Sequence, residues 1–175
     1  CVDWRSRRIV AGVNAGEFGD GANAENGRSY SDDLFCEWEI RGFDCKNEAD
    51  ICQSIVHLDF VKHRIWSGDV IQIYTDDENK CDSTNSTSAY LLAQSTGFFF
   101  DSTLPPRVSA RGCVRVLFQT DSNTERFYAT DMGDGFVMRY FASNFVCSSD
   151  VDCNGGTCGV DGLCSCGGQR YGSTC

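Results

Sequence analysis

The sequence is poor in positive charge. Lysine occurs only three times, and the 15 lysine and arginine residues face 25 aspartate and glutamate residues, which gives a net charge of −10 at pH 7. Nucleic acid and anionic lipid both require clustered basic side chains, and the longest basic run here is Arg7-Arg8. The composition therefore argues against both as partners. The acidic surface either keeps the protein soluble or attracts a basic partner or divalent cations.

Long hydrophobic runs are absent as well. No segment approaches the ~20 apolar residues that cross a bilayer, so we expect no membrane insertion. Apolar residues are nevertheless plentiful, since 41% of the chain is hydrophobic and it contains 12 phenylalanines, which argues against intrinsic disorder. A chain of 175 residues can form one ordinary domain, or one domain with a very small second one.

Histidine is scarce, and this limits the enzymatic chemistry. Residues 8–12 resemble the activation site of chymotrypsin-like proteases, but such an enzyme also needs a histidine base and an activated serine in a glycine-rich loop. His57 and His63 are the only histidines, and the chain has no Gly-x-Ser-Gly segment and no cysteine spacing typical of zinc sites. We therefore expect no catalytic residue, no required cofactor and structural roles for both histidines. His57, on a predicted strand, is expected to face solvent or a second sheet.

Cysteine, in contrast, is abundant. The 12 cysteines, an even number, indicate an oxidising compartment, so we expect a secreted or cell-surface protein. Because the chain opens on Cys1 and has no signal peptide, it is expected to be a processed chain or a piece of a longer one. Six cysteines lie in the first 146 residues and six in the last 29. The last segment has few large apolar side chains, so disulfides must hold it together, and a domain boundary near residue 144 follows.

Alternating apolar and polar residues predict β-strands in the larger part. Polar turn-forming clusters separate four such segments, and no segment has a helical repeat long enough to predict a helix. We expect a mainly β protein whose antiparallel strands form a sandwich. Residues 10–30, rich in Gly, Asn and Ala, are expected to be irregular or to form an edge strand. The predicted strands are residues 55–60, 70–74, 114–118 and 136–140, and the predicted turns are residues 76–79, 121–124 and 131–135.

Residues 145–175 resemble an EGF-like module. The resemblance rests on the spacing of six cysteines and on two motifs, Cys164-Ser-Cys166 and Tyr171-Gly172-x-x-Cys175. Calcium-binding members carry acidic and amide residues just before the first cysteine, and residues 142–146 do not fit that pattern, so we expect no calcium in this module. Spacing alone leaves the disulfide pairing open. The family pairing implies Cys147–Cys158, Cys153–Cys164 and Cys166–Cys175.

Residues 1–144 resemble a CUB domain. The resemblance covers residues 30–141 and rests on an ordered series of short motifs. It implies a jelly-roll-like sandwich of two antiparallel sheets, in a module that binds partners and performs no chemistry. The motifs are Cys36-x-Trp38-x-Ile40, Val56-x-Leu58-x-Phe60, Asp69-x-Ile71-x-Ile73, Ser109, Val114-x-Val116-x-Phe118-x-Thr120-Asp121 and Gly135-Phe136-x-x-x-Tyr140.

The CUB resemblance also implies three disulfides. The pair Cys1–Cys36 would match the family's first bridge, with a longer segment between the two cysteines. The cysteine that normally starts the family's second bridge is missing, because Ser67-Gly68 occupies its place. The pair Cys81–Cys113 would replace that bridge and connect a loop to the next strand. A third pair would close an acidic insertion, residues 46–51, locally. The implied pairs are Cys1–Cys36, Cys81–Cys113 and Cys45–Cys52.

Calcium-binding CUB domains imply a cation site at Tyr30, Asp69 and Asp121, with Asn123 as a further donor. Hard cations bind several oxygen ligands at once, which clustered carboxylates supply. The family's glutamate is missing, because Trp66 occupies its place. The predicted site is therefore incomplete. The alternative is a set of solvated turn residues in which Asp121 forms an Asx-turn.

Phe98, Phe99 and Phe100 are candidate interface residues. A strand directs successive side chains to opposite faces, so three consecutive rings cannot all enter one core. An outward ring would promote a protein contact. The alternative is a loop that packs over one end of the sandwich.

Asn85 is a candidate glycosylation site. It begins the only N-glycosylation sequon of the chain, Asn85-Ser-Thr87. The surrounding residues are polar, and we expect a surface loop there.

These expectations combine into a non-enzymatic extracellular protein. The first hypothesis is a building unit of a matrix, sheath or cell-surface filament, in contact with other extracellular proteins or with copies of itself. The second is an accessory binding module of a larger secreted protease, with catalysis elsewhere in the polypeptide. The third is a soluble adhesion or ligand-binding protein that depends on calcium.

Overall fold

The computed structural model describes residues 7–20, 30, 32–45, 54–76, 89–97, 103–122, 135–143, 157–159, 164–166 and 170–172. Twelve β-strands lie in these residues, and none of the described residues forms a helix that could cross a membrane. The strands are β1 (Arg7–Ala11), β2 (Gly16–Gly19), β3 (Phe35–Gly42), β4 (Ile55–Arg64), β5 (Val70–Asp76), β6 (Ala89–Ser95), β7 (Val108–Arg111), β8 (Cys113–Gln119), β9 (Gly135–Ser143), β10 (Thr157–Cys158), β11 (Cys164–Cys166) and β12 (Arg170–Gly172).

Nine of these strands form two sheets. One sheet has five strands in the order β1-β3-β8-β5-β6, and the other has four in the order β2-β9-β4-β7. Side chains of both sheets belong to one buried apolar cluster, so the sheets pack face to face. The predicted mainly β sandwich is confirmed, and the four predicted strands are found within β4, β5, β8 and β9.

Aromatic rings occupy the centre of the sandwich. Trp38 of β3 meets Phe136 of β9 edge-on, with ring centroids 5.5 Å apart. Phe136 also contacts Phe118 of β8, at 5.1 Å. Phe118 in turn meets the ring of Tyr30 edge-on at 5.2 Å. Such tilted pairs contribute beyond their buried area, and this series connects Tyr30 to both sheets.

The amino-terminal strands correct one expectation. β1 runs parallel to β3, so the sandwich is not wholly antiparallel. A parallel neighbour is possible because the chain leaves the five-stranded sheet after β1, crosses to the other sheet as β2 beside β9, and only then returns as β3. The backbone N–H of Ala142 donates to the carbonyl oxygen of Gly12 at 2.8 Å and fixes the crossing. Of the two alternatives for residues 10–30, the edge strand is right for residues 10–11 and 16–19.

The last three strands form a separate small antiparallel sheet. Thr157 pairs with Ser165, and Ser165 pairs with Tyr171 on its other side. Most of residues 144–175 lie outside the described part of the chain. The EGF-like module and the boundary near residue 144 therefore stay predictions.

Candidate functional site

Two strand ends bring predicted calcium ligands together. β5 and β8 are antiparallel neighbours, and Val70 pairs with Gln119. Asp69 directly precedes Val70, and Asp121 follows the end of β8, so both aspartates lie at the same end of the five-stranded sheet. Tyr30 contacts Asp69 there.

The carboxylate of Asp69 is buried and hydrogen-bonded at both oxygens. The hydroxyl of Tyr30 donates to Oδ2, and the backbone N–H of Asp121 donates to Oδ1 at 3.0 Å. The Tyr30 oxygen in turn accepts a hydrogen bond from the backbone N–H of Trp66, at 2.8 Å. A buried charge is costly unless donors surround it, so these hydrogen bonds help to stabilise a carboxylate at this position.

Close packing holds Asp121 against the loop that carries Asp69. A Cβ added to Gly68 would lie only 1.8 Å from Oδ2 of Asp121, so glycine allows the two segments to approach. The hydroxyl of Thr96 lies 2.6 Å from the carbonyl oxygen of Asp69 and braces the same loop. On the other side, the backbone N–H of Asp33 donates to the carbonyl oxygen of Asp121 at 3.3 Å.

Two carboxylates limit what this cluster can bind. Within the described ranges, no group of three or more His, Cys, Asp and Glu side chains could hold a metal ion. Trp66, at the place of the family's glutamate, packs against the core. The fourth predicted donor, Asn123, lies outside the described residues. The structure thus brings Tyr30, Asp69 and Asp121 together, and calcium binding by them stays a prediction.

His57 is enclosed by its own sheet. It lies on the outer face of β4, because its two neighbours along the strand point into the core, yet it has no exposed surface. Its Nδ1 lies 2.9 Å from Oγ of Ser109, its Nε2 lies 2.9 Å from Oγ of Ser143, and its ring stacks on Phe141 with centroids 4.6 Å apart. Neither expected environment is found, because the side chain points away from the second sheet and is surrounded by neighbours on the same face instead of by solvent.

His63 lies where the two sheets meet. It follows a bulge in β4, and its Nε2 lies 2.6 Å from Oγ of Ser95 on β6. Burial lowers the pKa of His63 below the ordinary value of 6.5, while hydrogen bonds with the backbone of His63 and of Gly97 act in the opposite direction. The fold therefore favours the neutral imidazole at this position.

Disulfides occur in both parts of the chain. Cys36, Cys45 and Cys158 are each disulfide-bonded. Cys113 is buried beside Cys45. The structure describes no side chain for the remaining cysteines, so all six predicted pairings stay predictions. These remaining cysteines are Cys1, Cys52, Cys81, Cys147, Cys153, Cys164, Cys166 and Cys175.

Strand β6 presents apolar side chains to solvent. It is the outermost strand beside β5, and Tyr90, Leu91 and Leu92 are 53%, 50% and 39% exposed. The strand contains no charged residue. The candidate interface residues Phe98, Phe99 and Phe100 lie outside the described residues, and so does the candidate glycosylation site Asn85. The lack of charge from residue 83 to residue 100 is the sequence feature that could have identified β6.

Comparison with solved structures identifies the fold. No family model matches the sequence, and no curated protein matches it. The CUB1-EGF-CUB2 domains of rat MASP-1 align over 78% of this chain, with a TM-score of 0.51 and 19% identity. The CUB1-EGF-CUB2 domain of human MASP-1/3 aligns over 87% of this chain, with a TM-score of 0.53 and 18% identity. The protein therefore has a CUB-like β-sandwich, as the resemblance implied.

The chain spans only part of those structures. It covers 43% of the rat chain and 51% of the human one. Because one fold serves many functions, the similarity establishes the sandwich and nothing further.

Proposed function

We propose that this chain is a non-enzymatic extracellular protein that works through protein–protein contacts, as a building unit of a matrix, sheath or cell-surface filament. The 12 cysteines and the disulfide-bonded state of Cys36, Cys45 and Cys158 support an oxidising location. The CUB-like sandwich supplies a scaffold that displays side chains on its outer faces and edges.

The exposed apolar side chains of β6 carry this proposal. Tyr90, Leu91 and Leu92 are adjacent, and each keeps at least 39% of its surface in water. Burial of apolar surface stabilises by roughly 25 cal/mol per Å², so a partner that covers the exposed part of these side chains stabilises the contact. Aromatic and large aliphatic residues are also the usual centres of protein interfaces.

The two histidines support the absence of catalysis. Neither His57 nor His63 has exposed surface, and each contacts a serine hydroxyl inside the fold. A general base must come within hydrogen-bonding distance of its substrate, which this enclosure prevents.

Imaging of the native source material tests the proposal. An antibody raised against this chain, coupled to gold, should label a continuous sheath, matrix or filament in electron micrographs. The intact mass of the labelled polypeptide should show whether the chain continues into a further domain. Label confined to dispersed particles, or a polypeptide that continues into a catalytic domain, would refute the building-unit function and favour the accessory-module hypothesis.

The cluster of Tyr30, Asp69 and Asp121 favours a second candidate function, calcium-dependent ligand binding. Three of the four predicted ligand residues lie at one end of the sandwich, and the loop with Asp32 and Asp33 contacts Asp121 there. Calcium prefers such oxygen-rich sites.

Titration calorimetry with calcium tests this candidate. The full chain should bind calcium at millimolar concentration, and Asp121→Asn should abolish the heat. Asp59→Asn is a matched control, because Asp59 is a carboxylate on the outer face of β4 that pairs with Arg107 at 2.7 Å, away from the cluster. Absence of heat from the unchanged chain, or equal losses in both variants, would rule out the site.

A further inference from the structure

The four edge strands of the sandwich differ in charge. In the described sheets, β1 and β6 are the edges of one, and β2 and β7 are the edges of the other. β1 contains Arg7 and Arg8, β2 contains Glu17 and β7 contains Arg111, whereas β6 contains no charged residue. Charged side chains on edges are a common means of preventing edge-to-edge association. Only β6 lacks this protection among these four.

The charge-free segment extends beyond β6. The 18 residues from Ser83 to Phe100 contain no Asp, Glu, Lys or Arg, in a chain in which 23% of residues are charged. They also contain no proline. An exposed, uncharged and apolar edge strand is the usual template for addition of another strand. β6 therefore has the properties of a strand-pairing surface.

We propose that β6 of one copy pairs antiparallel with β6 of a second copy, about a two-fold axis at Leu91. This inference rests on the proposed building-unit function and names the partner of that surface. In this register Leu91 faces the second copy's Leu91, Tyr90 faces Leu92, and Ala89 faces Ala93. Every cross-strand pair is thus uncharged, and the pattern of the strand is its own complement, as a two-fold contact requires.

Charge limits where two copies of this chain can meet. Two copies that each carry −10 repel one another, so a contact between them must lie where the acidic residues are absent. β6 satisfies this condition. A basic partner would instead find its complement on the acidic loops, such as the one that carries Asp32 and Asp33.

The geometry of β6 also limits the strength of the contact. The register between β5 and β6 shifts between Ile73 and Tyr74, which leaves Leu92 as the extra residue of a bulge. Bulges bend and twist a strand, so the ladder between copies is restricted to a few residues around Leu91. A contact of this size is weak by itself and becomes stable when each copy makes further contacts in an assembly.

Sedimentation velocity of the full chain tests the pairing. We expect the unchanged 19.3 kDa chain to associate as its concentration rises. Leu91→Lys places two like charges opposite each other on the axis and should raise the dissociation constant about tenfold or more. Leu91→Glu should have the same effect, and an equimolar mixture of the two variants should recover association, because Lys and Glu then face each other.

Val10→Lys is the matched control. Val10 is 67% exposed on β1, the opposite edge of the same sheet, so the substitution is chemically equivalent but lies away from the proposed axis. It should leave association unchanged. Circular dichroism and thermal unfolding should show that all variants fold.

Three outcomes would overturn the pairing. The unchanged chain could remain monomeric, the mixture of charge variants could fail to recover association, or Leu91→Lys could lower thermal stability without any effect on association, which would indicate that another part of the chain covers β6. Each leaves the building-unit function intact if the native material is labelled in micrographs. A dimer that depends on Leu91, together with unlabelled native material, would instead refute the building-unit function alone.

Discussion

Replacement of Tyr30 by phenylalanine removes one hydroxyl oxygen that forms hydrogen bonds with two other groups. That oxygen donates to the carboxylate of Asp69 and accepts from the backbone N–H of Trp66. The ring itself packs edge-on against Phe118, and phenylalanine keeps that contact. The substitution therefore isolates the contribution of the hydroxyl.

The expected loss of stability follows from the two hydrogen bonds. A hydrogen bond to a charged group contributes about 1.5–3 kcal/mol, and a buried donor left without its acceptor costs about 1–3 kcal/mol. The two contributions share one oxygen and do not simply add, so we expect Tyr30→Phe to lower the free energy of unfolding by about 2–4 kcal/mol.

Urea unfolding in the presence of a chelator, with the disulfides intact, measures this loss. Tyr140→Phe is the control, because the described residues contain no hydrogen-bond partner for the Tyr140 hydroxyl, and we expect a change within about 0.5 kcal/mol. If Tyr30→Phe were no more destabilising than Tyr140→Phe, the buried network around Asp69 would not stabilise the fold.

Two further predictions concern positions between and beside the strands. Because burial lowers the pKa of His63 below 6.5, the unfolded chain binds more protons below that pH, and stability should fall as the pH drops below about 6.5, by at most about 1.4 kcal/mol per pH unit. His63→Gln should remove that part of the pH dependence in urea titrations between pH 7.5 and pH 5. Gly135 has φ of +80° and a Cβ there would lie 2.0 Å from Oδ2 of Asp20, whereas Gly97 has φ of +82° and open space around it. Gly97→Ala should therefore cost about 1–2 kcal/mol in backbone strain, and Gly135→Ala should cost clearly more.

The following results would contradict these two predictions. If the free energy of unfolding depended on pH in the same way in His63→Gln and in the unchanged chain, His63 would not titrate differently in the folded and unfolded states. Equal losses in the two alanine variants would mean that the side chain of Asp20 moves aside at no cost.

The sequence predicted four strands in which apolar and polar residues alternate. In residues 56–60 of β4 and residues 114–118 of β8 every second residue enters the core, and a period of two is visible without any knowledge of the partner strands. β6 was not predicted, because Tyr90, Leu91 and Leu92 are consecutive apolar residues on a bulged edge strand and do not alternate. The parallel pairing of β1 was also missed, since it depends on a crossing between sheets that no local pattern encodes.

The candidate site was predicted only in part. The resemblance to CUB domains placed Asp69 and Asp121 together, and the register between β5 and β8 explains why they meet. The backbone N–H of Trp66 and the hydroxyl of Thr96 were not predicted, because their roles depend on the conformations of loops. The enclosure of His57 was not predicted either. The alternation of apolar and polar residues along β4 indicates the sheet face on which His57 lies, but not which side chains cover it there.

The mass of the particles that contain this chain in its native material tests the central proposal most directly. Extraction under non-denaturing conditions, followed by sedimentation analysis, should give particles many times heavier than the polypeptide that contains this chain, and denaturant should release that polypeptide from them. Recovery of that polypeptide only as a single copy, at native concentration and with calcium present, would contradict its function as a building unit.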